Sequence, residues 1–404
     1  MNDEAIAGIS DWVVRQGIAG ASETELLDGF CERCLAAGLP LSRGLVLIDT
    51  LHPTFEGRAF RWRGDGGEVE ARLEYGRSDA GEAAERWRRT SFYHMLQIGA
   101  DELELRLDAD PAPDFFGLDE LIAEGNTHCL VLLHRFAESA AIGEMDSVYT
   151  HWSTRRRGGF TEPEMAALRR LVPPLALAMK CASLARIAET LVEVYLGRDA
   201  GRRVLEGRIQ RGVADRIGAV LWFSDLHHYT AIADGSAPDE VIPFLNDYAE
   251  AVISAIHEAG GDVLKLIGDG ILAIFKADDP GHACRCALNA EALLRRRLAA
   301  LNARRGEEGR PVTFAYLGLH IGDVFYGNIG SEERLDFTVV GPAVNEVSRI
   351  ASMCRSIDQQ ILVSAAFATA TPEPERAALV SVGRYALRGV GRAQEQFTLD
   401  PTAG

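Results

Sequence analysis

Two aspartates stand at the ends of apolar runs in the C-terminal half of this 404-residue chain. Val220 to Leu226 reads as a strand that carries Asp225 near its end. Asp262–Ile267 and Ile271–Phe275 read as two further short strands joined by Gly268-Asp269-Gly270, a hairpin signal that puts Asp269 at the tip. Taken alone, Asp269 is a turn residue, because aspartate favours turns for backbone reasons. Beside Asp225 it gains a second reading: two strands from separate parts of the chain can each present a carboxylate at one sheet edge. Two hard oxygen ligands and a backbone carbonyl hold magnesium beside a polyphosphate, and two such ions can clamp the attacking and leaving oxygens of a phosphoryl displacement. Lys265 lies inside an otherwise apolar strand, so it must snorkel, pair or point into a site. Asn345 and Arg349 lie four apart and share a face if helical, which lets an amide and a guanidinium reach one substrate; on spacing alone they equally suit a solvated helix face.

The blocks around these residues resemble a class III adenylyl cyclase catalytic domain. They are Phe223-Ser224-Asp225-Leu226-His227-His228-Tyr229-Thr230, Gly260 to Asp269, Gly318-Leu319-His320-Ile321-Gly322, Gly327-Asn328-Ile329-Gly330, Phe337-Thr338-Val339-Val340-Gly341 and Val344 to Arg349, in that order over roughly the C-terminal half. Several blocks in order are far more specific than one short pattern. The resemblance implies that Asp225, Asp269 and the Leu226 carbonyl hold two Mg²⁺ ions per site, with Mn²⁺ able to substitute. It implies that Asn345 orients the ribose and that Arg349 stabilises charge on the α-phosphate. It makes Lys265 and Thr338 the base-reading pair, which favours ATP because guanylyl enzymes usually carry Glu at the lysine position. Arg388 takes the place of a triphosphate-binding lysine. The family usually has Gly where His228 stands, in a loop whose backbone approaches the phosphates, and a second phosphate-binding arginine aligns with Gln359. The implied reaction is ATP to 3′,5′-cyclic AMP and pyrophosphate. Since the family builds each site from two protomers and this chain holds both residue sets, a homodimer is implied. A guanylate cyclase, a weakly catalytic cyclase-like binding module and a diguanylate cyclase are the rivals; the last would need a GGDEF-type turn, and Gly260-Gly261-Asp262 runs on into Val263-Leu264.

The elements that must position these residues are α/β in character. A 47% hydrophobic and 25% charged composition is that of an ordinary globular protein. A formal charge of −17 argues against nucleic acid or an acidic membrane surface as partner, so an anionic nucleotide must be received by local Lys, Arg and metal. Seven scattered cysteines suit a reducing compartment, and Cys31-Glu32-Arg33-Cys34 fits two cysteines on one helix face better than a metal site. With an acidic N-terminus and no apolar run judged long enough to span a bilayer, the expectation is a cytoplasmic protein without a membrane span.

Three regions are expected. Residues 1–180 carry no catalytic pattern. Strands at Gly44–Thr50, Arg58–Trp62, Cys129–Phe136 and Ser147–Trp152, then a helix capped at Thr161, resemble a GAF-like sensory domain receiving a small-molecule or protein signal. His52, His94, His128, His134 and His151 are there as possible haem or metal ligands, with the structural role the better bet for each. Residues 181–213 read as a connecting helix, paired across a dimer through a Leu184, Ile187, Leu191, Val194 stripe and interrupted at Gly197. Residues 214–404 alternate strands with long helices, which suggests an α/β sandwich with a ferredoxin-like βαββαβ core. The basic run Arg295-Arg296-Arg297 reads as a solvated helix face.

Overall fold

In the computed structural model, which describes residues 1–67, 70–136, 142–143, 145–387 and 393–400, the chain divides into two units, Met1–Leu191 and Val192–Gly404. The first begins with two helices, α1 (Asp3–Ala19) and α2 (Glu23–Ala36), and each starts on a side-chain cap: Asn2 accepts from the Ala5 amide, and Ser22 with Glu25 forms a capping box. Six strands follow, β1 (Arg43–Asp49), β2 (Gly57–Arg63), β3 (Arg72–Tyr75), β4 (Glu102–Arg106), β5 (His128–Arg135) and β6 (Ser147–Thr154), in an antiparallel sheet of order β3-β2-β1-β6-β5-β4. Between β3 and β5 lie α3 (Gly81–Arg88), α4 (Ser91–Ile98) and α5 (Leu118–Ala123). The short strands β3 and β4 were missed in the sequence analysis, although Arg72-Leu73-Glu74-Tyr75 and Glu102-Leu103-Glu104-Leu105-Arg106 both alternate polar and apolar residues.

One face of this sheet, with Val46, Phe60, Leu130 and Trp152, packs on α1, α2 and the long helix α6 (Glu162–Leu196). Glu164 caps α6 by accepting from both the Thr161 amide at 2.7 Å and the Thr161 hydroxyl at 2.8 Å, so the expected Thr161 cap is made from the Glu164 side. Cys31 and Cys34 are buried in the same core, where burial pushes the Cys34 thiol up to about 12, so they are packing residues. Two expectations change here. The stripe on α6 is divided: Ile187 is buried, Leu184 and Leu191 are partly buried against the unit's own core beside the Glu23–Arg186 pair at 2.9 Å, and Val194 is exposed. And α6 is long and apolar enough, by length and composition, to cross a bilayer. Leu168, Leu171, Val172, Leu175 and Met179 on it are fully buried in the unit's core.

The second unit takes in the last residues of α6 and then α7 (Arg198–Leu205), which is set off by Gly197 at φ 84° and latched by its buried Asp199 to Lys276 at 2.6 Å. Then come β7 (Ala214–Leu226), α8 (Tyr229–Gly235), α9 (Pro238–Glu258), the hairpin β8 (Asp262–Ile267) and β9 (Gly270–Lys276), α10 (Pro280–Glu307), β10 (Ala315–Gly330), β11 (Leu335–Val340), α11 (Pro342–Cys354), β12 (Ile361–Ser364), α12 (Ala365–Ala370), β13 (Leu379–Tyr385) and β14 (Gln394–Leu399). The strand order β13-β14-β12-β10-β7-β9-β8, with β11 paired to β10, contains the ferredoxin-like arrangement in its β10-β7-β9-β8 segment. Helices α9 and α10 bury one face; β11 and α11 cover the other. Gly318 explains how closely α11 approaches: a Cβ there would stand 2.7 Å from the Val347 carbonyl oxygen. The basic run is not solvated throughout. Arg295 bonds Glu291 and the Ala315 carbonyl, and Arg297 bonds Ser254, so they tie α10 to its neighbours.

Candidate active site

Strand register decides what Asp225 meets. β7 pairs with β9 through Ser224 opposite Ile271, so continuing the ladder sets Asp225 level with Gly270 and Leu226 level with Asp269. Gly268 takes φ 63° at the first central position of the two-residue turn, as a II′ hairpin requires. The turn swings Asp269 back toward the end of β7, where its carboxylate accepts from the Leu226 amide at 3.1 Å. The Asp225 carboxyl is pushed up to about 6, first by burial and then by its hydrogen bond and charge contact with Asp269. The two carboxylates are therefore a like-charge pair that the Leu226 amide and the charge of Arg355 offset only in part, and a divalent cation would relieve it. No cluster of three or more His, Cys, Asp or Glu side chains occurs among the described residues. A cation here would complete its shell with the Leu226 carbonyl, water and substrate oxygens, as magnesium does.

The loop after β7 carries more. His228 caps α8 at φ 55°, a left-handed conformation that glycine takes freely and other residues resist. That is the physical reason for a glycine at this position. His227 stacks on Phe314 with ring centroids 4.3 Å apart, and burial lowers its pKa. Arg355, at the end of α11, lies over the Tyr316 ring at 5.9 Å and its charge reaches Asp225. Sequence reading passed Arg355 over, because nothing local connects it to β7. A hollow of about 190 Å³ opens beside the aspartates, lined by Ser224, Leu245, Ala249 and Gly268. Sites for small organic ligands occupy roughly 300–1,000 Å³, so the hollow is too small for a whole nucleoside triphosphate.

The other expected residues stand apart from this hollow. Asp225 is opposite Tyr316 on β10, whereas Thr338 of β11 is opposite Gly327. Those levels are eleven residues apart along β10. Lys265 solves its burial problem by pairing with Asp336 of β11. Asp336 and Thr338 alternate along one face of β11, and Phe337 and Val339 on the other face enter the core. The structure thus brings Lys265 to the strand that carries Thr338, and it does so through Asp336, a residue the sequence analysis missed. The signal available was the i, i+2 spacing of Asp336 and Thr338. Asn345 and Arg349 lie on α11, whose core face is Ala343, Val347, Ile350 and Ala351. Asn345 is exposed and Arg349 half-buried, and neither has a hydrogen-bond or ion-pair partner among the described residues. Arg388 lies outside the described residues.

Residues 214–400 match the family model described as the adenylate and guanylate cyclase catalytic domain, so the C-terminal unit carries a domain of the class III cyclase family. An adenylate cyclase of Anabaena cylindrica is 37% identical over 160 residues, covering 39% of this chain and 31% of that protein. Adenylate cyclase 1 of Rhizobium meliloti is 30% identical over 188 residues, covering 45% of this chain and 28% of that protein. The chain thus spans about a third of the length of these curated relatives. The crystal structure of an adenylyl cyclase from P. aeruginosa is similar at 20% identity, over 46% of this chain and 95% of that one, with a TM-score of 0.43.

Proposed function

We propose that the chain is an adenylate cyclase, forming 3′,5′-cyclic AMP and pyrophosphate from ATP at sites shared between two copies in the cytoplasm. The observation that carries the reading is the Asp225–Asp269 carboxylate pair, held at the strand ends against its own repulsion. Strained charge of this kind is kept where it has chemistry to do. Asp225, Asp269 and the Leu226 carbonyl would hold two Mg²⁺ ions, or Mn²⁺. When bound, the ions supply a lowered pKa for the ribose 3′-hydroxyl and neutralise the triphosphate. Lys265, steadied by Asp336, donates to adenine N1, and Thr338 accepts from the N6 amino group. Asn345 fixes the ribose for in-line attack on the α-phosphorus. Arg349 stabilises the charge that grows on the α-phosphate oxygens as the bond to pyrophosphate breaks, and Arg388 and Arg355 are cations for the triphosphate. The small hollow beside the aspartates and the separate placement of Lys265, Thr338, Asn345 and Arg349 support a site completed by a second chain. In this reading the N-terminal unit regulates the reaction.

The test is purified full-length protein incubated with ATP or GTP and Mg²⁺ or Mn²⁺, with products separated by chromatography. Cyclic AMP from ATP is the expected product. Cyclic GMP as the main product would make the chain a guanylate cyclase, and no cyclic product with either nucleotide and either metal would leave a nucleotide-binding module.

A further inference from the structure

The N-terminal sheet uses only one face for its main core. Its other face floors a cavity of about 480 Å³, roofed by α3, α4 and α5, and that is the size of a site for a drug-sized molecule. Leu45 and Leu47 of β1 and Ala59 of β2 make the floor. The small Ala59 side chain, flanked by Leu47 and Leu73, leaves that floor low.

The walls are aromatic. Trp87 stands edge-on to Tyr149 with centroids 6.1 Å apart, and Phe92 packs on Tyr149 at 5.0 Å and on His151 at 4.9 Å. Phe116 also lines the space and leaves 48% of its surface exposed. The polar groups are few and placed apart. The ring of His151 holds the Ser91 hydroxyl at 3.0 Å, and burial keeps the imidazole neutral, its pKa pushed down to about 4. Arg61 is different from the other charges here. Arg43 is neutralised by Glu120 and Glu124, Arg86 by Glu82, and the Tyr75 hydroxyl donates to Asp49 at 2.7 Å. The half-buried Arg61 guanidinium has no carboxylate partner among the described residues. An unpaired cation in an apolar hollow is costly unless an anion joins it. Leu45 is opposite both Arg61 and His151. The two therefore stand one on each side of β1, about 10 Å apart at the backbone.

We infer that this cavity binds a small planar aromatic acid, its anionic group on Arg61 and its rings against Trp87, Phe92 and Phe116. A guanidinium takes a carboxylate through two parallel N–H donors. Aromatic walls favour a flat π-system by burial and offset contact. The site uses none of the residues assigned to the cyclase reaction, so its test is independent of that reading.

The experiment is titration calorimetry on the full chain without nucleotide or metal. Three probes are compared: 2-naphthoate, its neutral analogue 2-naphthamide, and decanoate, an aliphatic anion. One 2-naphthoate per chain is expected, bound about tenfold tighter than either of the others. Arg61→Gln should abolish the preference for the acid over the amide while leaving amide binding unchanged. Ala59→Leu should raise the floor and weaken both aromatic probes. Thermal melts on each variant check that it is folded. Equal affinity for acid and amide, an acid preference that survives Arg61→Gln, tighter binding of decanoate, or no 2-naphthoate binding up to its solubility would each overturn the proposal.

Discussion

Replacing Asp225 by asparagine should do two opposite things. It removes a charged cation ligand, so cyclic AMP formation should fall on the order of hundredfold or more. It also removes a half-buried charge and the repulsion of that charge with Asp269, so the metal-free protein should become more stable. The Asp225 carboxyl is raised from 3.8 to about 6. Taken at face value, a shift of that size is roughly 3 kcal/mol. The group is only half-buried, so solvent screening cuts this to about 1 kcal/mol. Below pH 3.8 the folded and unfolded chains both hold the proton, and no penalty exists. As pH rises toward about 6 the unfolded chain releases its proton first, and the folded state loses relative stability. Above that the penalty is constant. At neutral pH in a chelator, the C-terminal unit of Asp225→Asn should therefore melt about 2–4 °C above wild type. That gain should shrink toward zero near pH 4, and saturating Mg²⁺ should narrow it, because wild type gains binding energy that the variant lacks. Calorimetric melts with and without metal, at several pH values, measure all three. A variant that melts at or below wild type in chelator at neutral pH, or a gain that does not vary with pH, would refute the account of Asp225 as a buried carboxylate facing a like charge.

Three further outcomes are expected. Asp225→Asn chains mixed with Arg349→Ala chains should recover activity that neither has alone, to about a quarter of wild type, since half the dimers are mixed and each has one intact site; exchange without recovery would mean that sites are not shared. Lys265→Glu with Thr338→Cys should lower the ATP-to-GTP ratio of kcat/KM, because the donor and acceptor pattern is reversed, and an unchanged ratio would place base reading elsewhere. His228→Gly should relieve the strain at φ 55° and raise stability by about 1 kcal/mol; a melt unchanged or lowered would show that the His228 ring, in contact with His227 at 3.7 Å, compensates for its backbone.

What the sequence determined by itself is what local chemistry dictates. Gly268-Asp269-Gly270 between apolar runs could only be a tight turn, and the structure has β8 and β9 meeting there. The four-residue spacing of Asn345 and Arg349 put them on one helix face, and they share the outer face of α11. Ordered blocks were enough to name the family of the C-terminal unit. Everything that depended on a distant partner was open. Leu184, Ile187 and Leu191 have the same periodicity whether they face a second chain or their own core, and only the packing of α6 chose the core. Length and hydropathy mark α6 as a span as readily as a core helix, and only the fold shows Leu171, Val172, Leu175 and Met179 on it inside the unit's core. Arg295 and Arg297 looked solvated until α10 was laid beside its neighbours. Lys265 had to pair or snorkel, and the fold supplied Asp336, seventy-one residues away. Likewise Asp225 and Asp269, forty-four residues apart, become one charged pair only through the β7–β9 register. Periodicity records which residues face the same way; the register and stacking of elements far apart in the chain, set by burial of whole faces, decide what they face.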